Sequence, residues 1–132
     1  LCAVNNWSGD YSTAKARAEE AGVKINLAYA VPKTGAPAWF DLFCIPADAK
    51  NVENAHTFIN YMMEAEVIAK CTNFTNYANA NLASKAFVDP AVLANPAVYP
   101  TDEVMKRLWT PKPLTEEQDR ALTETFNKMK SG

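Results

Sequence analysis

The alternation of apolar and polar residues predicts three short strands. Residues 1–4 are apolar and suit a buried strand that ends at a turn of asparagine, serine and glycine. Residues 25–31 alternate with the two-residue period of a strand. Residues 38–45 are again apolar, apart from one aspartate, and suit a third strand.

Helical signals lie between and after these runs. An alanine-rich stretch at 13–21 predicts a helix that ends at Gly22, with Asp10 or Ser12 as its N-terminal cap. The longest helical pattern covers 51–70, where apolar residues recur at a spacing near 3.6.

The last third of the chain predicts several short helices. Residues 71–83 are polar and irregular, after which Asp89 and Pro90 suit the cap and first turn of a short helix. Residues 101–108 predict another short helix, and TEEQ at 115–118 is a capping box that begins the final one. The pattern therefore predicts a mixed α/β protein with a helical C-terminal segment.

Composition narrows the class of protein. The 132 residues are enough for one ordinary domain, and 48% of them are hydrophobic, which is typical of a globular chain. The net charge is −2 and no basic patch stands out, so nucleic acid is not an expected partner. No apolar stretch reaches the length of a membrane-spanning helix.

The cysteines and the histidine offer little chemistry. Cysteines at positions 2, 44 and 71 fit no zinc spacing, and Cys2 and Cys44 lie in apolar runs where small buried side chains are expected. His56 lies inside a helical pattern, which favours a surface or half-buried histidine over a ligand or a base. We therefore expect no metal, no cofactor and no nucleophilic catalysis.

Two aromatic–acid pairs are the strongest functional signal. Trp7 precedes Asp10 by three residues, and Trp39 precedes Asp41 by two residues. An aromatic ring stabilises an alkyl chain by contact and an ammonium group by cation–π attraction. A carboxylate accepts charge-assisted hydrogen bonds from an ammonium group. Two such pairs facing each other would suit a short molecule with an amine at each end.

Two other interpretations of these pairs stay open. In one, the tryptophans are core residues and the aspartates cap turns. In the other, Asp10 and Asp41 are an acid–base pair of the glycosidase kind, although nothing in their spacing supports catalysis over binding. Asp41 lies in an apolar run, where an unpaired carboxylate is costly, so it should meet a cation, a donor or water.

Several motifs in register resemble one family over essentially the whole chain. They are WSGD at 7–10, VPKTGA at 31–36, WFD at 39–41, PADAK at 46–50, YANAN at 77–81, NPxxYP at 95–100 and KMKSG at 128–132. Together they resemble the C-terminal part of bacterial periplasmic polyamine-binding proteins, the putrescine and spermidine receptors of ABC importers.

The resemblance implies part of a two-lobe periplasmic binding protein fold of type II, whose lobes close on the ligand by hinge motion. Residues 1–30 would belong to the C-terminal lobe as strand, helix and strand. Residues 31–75 would cross into the N-terminal lobe, and residues 76–132 would return to the C-terminal lobe as helices. Members of this family are more than twice as long. The chain would therefore need the missing N-terminal part, or a swapped copy, to complete the cleft.

The resemblance also implies a ligand site and partners. Trp7 and Trp39 would pack on the aliphatic chain of a polyamine, Asp10 and Asp41 would pair with its amino groups, and Tyr77 would add a ring and a hydroxyl. The partners would be a polyamine and the membrane permease of the importer, and the location would be the periplasm. The alternatives are a receptor for another amine, or a structural piece without ligand binding of its own.

Overall fold

The computed structural model describes residues 3–131 and consists mainly of helices. The helices are α1 (Ser8–Glu20), α2 (Val52–Met62), α3 (Ala65–Thr75), a 3₁₀ helix (Leu82–Ala86), α4 (Pro90–Leu93), α5 (Asp102–Met105) and α6 (Glu116–Ser131). Within these residues the sheet is limited to two parallel strands of two residues each, β1 (Ala36–Pro37) and β2 (Leu108–Trp109).

Helix α1 begins earlier than the sequence predicts. Trp7 occupies the N-cap position and makes no side-chain capping hydrogen bond, so the prediction that Asp10 or Ser12 caps the helix is wrong. Asp10 lies in the first turn instead, where the partial positive charge of the helix N-terminus favours a carboxylate. This start places Trp7 and Asp10 about one helical turn apart.

The predicted end of α1 at Gly22 is confirmed. Gly22 has a φ of 66°, and its N–H donates to the carbonyl of Glu19 at 3.0 Å. The N–H of Val23 donates to the carbonyl of Ala18 at 2.9 Å. This pair of hydrogen bonds is a Schellman motif, for which glycine is favoured because it adopts a positive φ without a steric penalty.

The single helix predicted over 51–70 is instead two helices. The chain breaks after α2 at Met63 and Glu64, where Glu64 is extended with a ψ of 133°. The carbonyl of Met63 accepts a hydrogen bond from the Asn81 side chain at 2.8 Å, so a distant residue satisfies a backbone group freed by the break. Helix α3 then continues to Thr75, into the stretch predicted to be irregular.

The three predicted strands do not form within residues 3–131. Leu1 and Cys2 lie outside the described residues, and residues 3–4, 25–31 and 38–45 have no regular structure. A strand needs the backbone of a neighbour for its hydrogen bonds, and alternation along one segment does not supply that neighbour. Among the described residues, only residues of β1 and β2 pair in this way.

The late helical signals are mostly confirmed. Helix α4 begins at Pro90, although Asp89 makes no side-chain capping bond, and the predicted helix over 101–108 is reduced to α5. The capping box of α6 forms: the Thr115 N–H donates to Gln118 Oε1 at 3.0 Å, and the Gln118 N–H donates to Thr115 Oγ1 at 3.3 Å.

The buried part of the described chain is small, and three of its six side chains lie on α3 and the 3₁₀ helix, which pack against each other. The buried side chains are those of Ala69, Thr72, Ser84, Val88, Ala97 and Val98. This core supports the loop at 76–81, which leaves the end of α3.

The cysteine predictions have different outcomes. Cys44 is an exposed free thiol, so its predicted burial is wrong, because the strand expected to bury it does not form. Cys2 lies outside the described residues. His56 is exposed on α2, as predicted.

Candidate functional site

The two predicted tryptophans contact each other. The ring centroids of Trp7 and Trp39 are 5.8 Å apart, with an interplanar angle of 78°, an edge-to-face arrangement. The side chains are 52% and 62% exposed, respectively. The interpretation of these tryptophans as core residues is therefore wrong for this structure.

The edge-to-face geometry limits how the rings could hold an alkyl chain. Two ring faces that sandwich a methylene chain must lie about 7–8 Å apart, since each carbon–carbon contact is about 3.5–4.0 Å. The rings of Trp7 and Trp39 are closer than that and nearly perpendicular. They form an open corner, along which an alkyl chain could lie against both rings.

The short sheet positions Trp39. The Ala38 N–H donates to the carbonyl of Trp109 at 2.8 Å, which fixes the chain directly before Trp39. Gly35 has a φ of 95°, and a Cβ there would collide with the carbonyl oxygen of Arg107. The glycine therefore permits the close approach of β1 to β2 that determines where Trp39 emerges.

The start of α1 positions Trp7 and Asp10. The Trp7 N–H donates to Asn6 Oδ1 at 2.9 Å, and the helix follows at once. Trp7 is the N-cap residue, with an extended ψ of 150°, and Asp10 lies three residues later in the first turn of the helix. Asp10 is exposed.

Tyr77 lies against the first turn of α1. Gly9 is buried, and a Cβ on it would collide with Cε2 and Cζ of the Tyr77 ring. Only a glycine leaves room for the ring at this position. The phenol of Tyr77 therefore lies beside the segment that carries Trp7 and Asp10.

The electrostatics of Tyr77 link it to both predicted carboxylates. Partial burial raises the pKa of the Tyr77 phenol first, and the negative charge of Asp10 raises it next. The Gly9 backbone N–H lowers this pKa, whereas Asp41 and Tyr29 add smaller upward contributions. Tyr77 is therefore held as a neutral phenol within reach of both acidic charges.

The structure thus brings together some of the residues singled out in the sequence. Trp7 contacts Trp39, Tyr77 lies against Gly9, which stands between Trp7 and Asp10 in the chain, and the charges of Asp10 and Asp41 both raise the pKa of Tyr77. Asp41 is exposed, so the sequence-based concern about burying its charge does not apply to this structure.

Sequence reasoning missed three contributors to this site. Gly9 leaves space for the Tyr77 ring, and Gly35 allows the contact between β1 and β2 that positions Trp39. The third is Tyr29, which contributes slightly to the raised pKa of Tyr77 and whose ring centroid lies 6.0 Å from that of Tyr11. Gly9 lies inside the WSGD motif, and this motif is the one sequence signal that could have identified it. Nothing in the sequence around Gly9 indicates its contact with Tyr77.

The arrangement suits the binding of an organic cation. Two carboxylates accept hydrogen bonds from ammonium groups, a neutral phenol offers a further oxygen, and the indole rings offer apolar and cation–π contact. Within residues 3–131, no group of three or more His, Cys, Asp or Glu side chains could hold a metal ion. Among the same residues, no helix is both long and apolar enough to span a membrane.

These features are typical of a class, that of proteins that bind a small organic cation. Comparison with known families agrees with that class. A model of the bacterial extracellular solute-binding protein family matches residues 1–101, and the chain belongs to this family. Membership implies a two-lobe fold of type II, although the described residues are rich in helix and have only a small sheet.

Individual relatives are similar over most or all of the chain. It is 41% identical over 132 residues to the putrescine-binding periplasmic protein SpuD of Pseudomonas aeruginosa, and 40% identical over the same length to the putrescine-binding periplasmic protein PotF of Escherichia coli. It is 32% identical over 100 residues to a spermidine/putrescine-binding periplasmic protein of Escherichia coli. In the first two comparisons, the match spans the whole of this chain but only 36% of the length of each relative.

Proposed function

We propose that this chain forms the C-terminal part of a periplasmic receptor that binds a polyamine of the putrescine or spermidine type. The receptor passes the polyamine unchanged to the membrane permease of an ABC importer. The observations that carry this proposal are the contact of Trp7 with Trp39 and the position of Tyr77 against Gly9, where the charges of Asp10 and Asp41 raise its pKa. The similarity to putrescine-binding and spermidine-binding proteins supports it.

In this proposal each site residue has a distinct role. Asp10 and Asp41 pair with ammonium groups of the ligand, because charge-assisted hydrogen bonds are the strongest polar contacts available to it. Trp7 and Trp39 contact the methylene chain along their open corner. Tyr77 adds a ring face and a neutral oxygen that accepts one further ammonium hydrogen.

The site residues come from three stretches of chain, which fits a cleft between lobes. Residues 1–30 and 76–132 would belong to the C-terminal lobe, and residues 31–75 to the N-terminal lobe. The missing N-terminal part of the receptor, or a swapped copy of this chain, would complete the cleft. Hinge closure of the lobes would then enclose the ligand.

A second candidate function is that of a structural piece without ligand binding of its own. The exposure of large apolar side chains favours it: Phe40, Leu42 and Phe43 are all exposed next to Asp41. Such a surface is typical of a piece that requires a partner. The two candidates differ in whether the assembly of this chain with the N-terminal part gains an amine.

Native mass spectrometry separates these candidates. The chain would be measured alone and with the N-terminal part of the receptor, each with and without putrescine and spermidine. The proposal predicts that the assembly gains the mass of one amine, and that the amine is recovered unchanged. An assembly that gains no amine contradicts the binding function, and a chemically altered amine contradicts the non-catalytic role.

Substitution of the carboxylates tests the site assignment. Asp10→Ala and Asp41→Ala should each weaken putrescine binding by roughly ten- to hundred-fold, since a hydrogen bond to a charged group contributes about 1.5–3 kcal/mol. Asp48→Ala is the matched control, because Asp48 is an exposed aspartate of a nearby turn that is not among the charges acting on Tyr77. Unchanged affinity in both site variants would rule out the assignment.

A further inference from the structure

The backbone that carries Tyr77 is held at the end of α3 by two local hydrogen bonds. Asn76 closes the helix in the left-handed conformation with a φ of 57°, and its N–H donates to the carbonyl of Thr72 at 2.9 Å. The Tyr77 N–H lies 3.4 Å from Thr75 Oγ1, to which it donates. Tyr77 therefore leaves the helix in a defined direction.

Side-chain hydrogen bonds hold the same loop two residues further on. The Asn79 side-chain amide donates to Thr72 Oγ1 at 2.8 Å, and its Oδ1 lies 2.9 Å from Ser84 Oγ, whose single hydrogen is shared with the Asn81 carbonyl oxygen at 2.7 Å. The Asn81 N–H donates to the same Oδ1, also at 2.9 Å. Asn79 thus ties the loop to α3 on one side and to the 3₁₀ helix on the other.

The anchors of this cluster are fully buried. Thr72 is 1% exposed and Ser84 is 0% exposed. A buried hydroxyl that loses its partner costs free energy, which disfavours arrangements of the loop that break these contacts. The loop at 76–79 is therefore rigid compared with one held by exposed contacts.

The position of the Tyr77 ring depends on a rigid loop, because the space beside Gly9 is narrow. The ring occupies the space that a Cβ on residue 9 would fill. A small displacement of the loop would move the phenol away from Gly9 and from the carboxylate of Asp10. Ligand sites depend on side chains held to within about half an ångström.

We propose that Thr72, Asn79 and Ser84 are positioning residues of the ligand site, which hold Tyr77 against Gly9 so that its phenol oxygen lies beside Asp10. None of the three is proposed to touch the ligand. The inference rests on the proposed polyamine function, because the phenol oxygen is the group that the cluster presents to an ammonium.

The test uses the complete receptor and two substitutions of nearly equal shape. Thr72→Val removes the buried hydroxyl and keeps the volume, whereas Thr72→Ser keeps the hydroxyl. Thr72→Val should weaken putrescine binding about five-fold, the equivalent of one neutral hydrogen bond. It should also move the pKa of Tyr77 toward the ordinary tyrosine value, and Thr72→Ser should restore both properties.

Asn73→Ala is the matched control. Asn73 is the next residue of α3, and its side chain also ties the helix to a later segment: Oδ1 accepts from the Asp89 N–H at 2.9 Å, and the amide donates to the carbonyl of Phe87 at 3.4 Å. Its substitution should lower the thermal stability and leave both the Tyr77 titration and putrescine binding unchanged. Asn79→Ala provides a second variant if Thr72→Val does not fold.

The outcomes distinguish this inference from the proposed function. The Tyr77 titration is measured without ligand, by NMR of the phenol ring carbon, so it reports positioning even if no polyamine binds. A Tyr77 pKa that is the same in wild type, Thr72→Val and Asn79→Ala would overturn the positioning role. Absence of putrescine binding to the wild-type receptor would overturn the proposed function instead.

Discussion

At the scale of single residues, Tyr77 has the most informative environment. Its pKa is raised by partial burial first and by Asp10 next. The folded chain therefore holds the phenol proton more tightly than the unfolded chain does. It follows that the contribution of Tyr77 to the free energy of unfolding is present below the ordinary tyrosine pKa of about 10 and is lost as the pH rises above it.

Neutralising the nearby carboxylates should lower the pKa of Tyr77 in a defined order. Asp10→Asn should have the larger effect and Asp41→Asn the smaller, because Asp10 is the stronger of the two electrostatic causes. Bound putrescine should also lower this pKa, since an ammonium group favours the phenolate. Titration followed by NMR of the tyrosine ring carbon measures all three effects. A larger response to Asp41→Asn would contradict the placement of Asp10.

Gly9 and Gly22 provide a matched pair of substitutions. Gly9→Ala would force a Cβ into the Tyr77 ring, so it should destabilise the fold by about 1–3 kcal/mol and weaken putrescine binding. Gly22→Ala meets no atom within 4 Å, and its cost of about 1–2 kcal/mol comes only from the positive φ. Chemical unfolding and ligand titration of the complete receptor measure both variants. Equal loss of affinity in the two variants would show that the contact of the Tyr77 ring with Gly9 does not matter for binding.

At the scale of elements, α6 depends on its own sequence more than the other helices do. Its described residues are all exposed, so tertiary packing does little to stabilise it. Its acidic first turn and basic last turn suit the helix dipole, and the capping box satisfies backbone groups at its start.

Loss of the cap should therefore loosen α6. Thr115→Ala should reduce the stability of this helix by about 0.5–2 kcal/mol, because the Gln118 N–H loses its acceptor. Thr125→Ala is the control: Thr125 donates to the carbonyl of Ala121 inside the helix, and alanine is the better helix former there. Amide hydrogen exchange should speed up in the first turn of α6 for Thr115→Ala alone. Equal exchange in both variants would mean that the cap does not control the helix.

At the scale of the whole molecule, the chain exposes far more surface than a compact protein of its size. Its accessible surface is 11326 Å², whereas a folded monomer of 14.5 kDa exposes about 6,900 Å². Leu42 is 78% exposed, in the apolar run that carries the site residues Trp39 and Asp41. In the proposed receptor, the N-terminal part would cover this surface.

Isolated chain and complete receptor should therefore unfold differently. The 132-residue chain alone should bind a hydrophobic dye and show no single cooperative thermal transition, because little apolar surface is buried to oppose the chain entropy. The complete receptor should lose the dye signal and unfold cooperatively. Differential scanning calorimetry checks the prediction, and a sharp transition of the isolated chain without association would contradict it.

Some features of this protein follow from local sequence alone. Gly22 ends α1, Pro90 begins α4, and residues 115–118 cap α6, because each signal acts through backbone groups within a few residues. The pairing of a ring with a carboxylate in WSGD and WFD is equally local. Local sequence therefore sufficed to name four of the five candidate site residues, whereas Tyr77 came from the resemblance of the whole chain to a family. The role of all five in binding stays a prediction.

Tertiary structure decided the rest. The alternation over 25–31 and 38–45 does not produce strands, since a strand depends on a neighbour that local pattern does not specify. Two contacts join residues that are far apart in the chain: Trp7 contacts Trp39, and the Tyr77 ring lies against Gly9. Sequence thus determined which groups are present and those helix ends that carry a local cap or stop signal. The distances and orientations of the groups depended on contacts between segments, and such contacts have no signature in either segment alone.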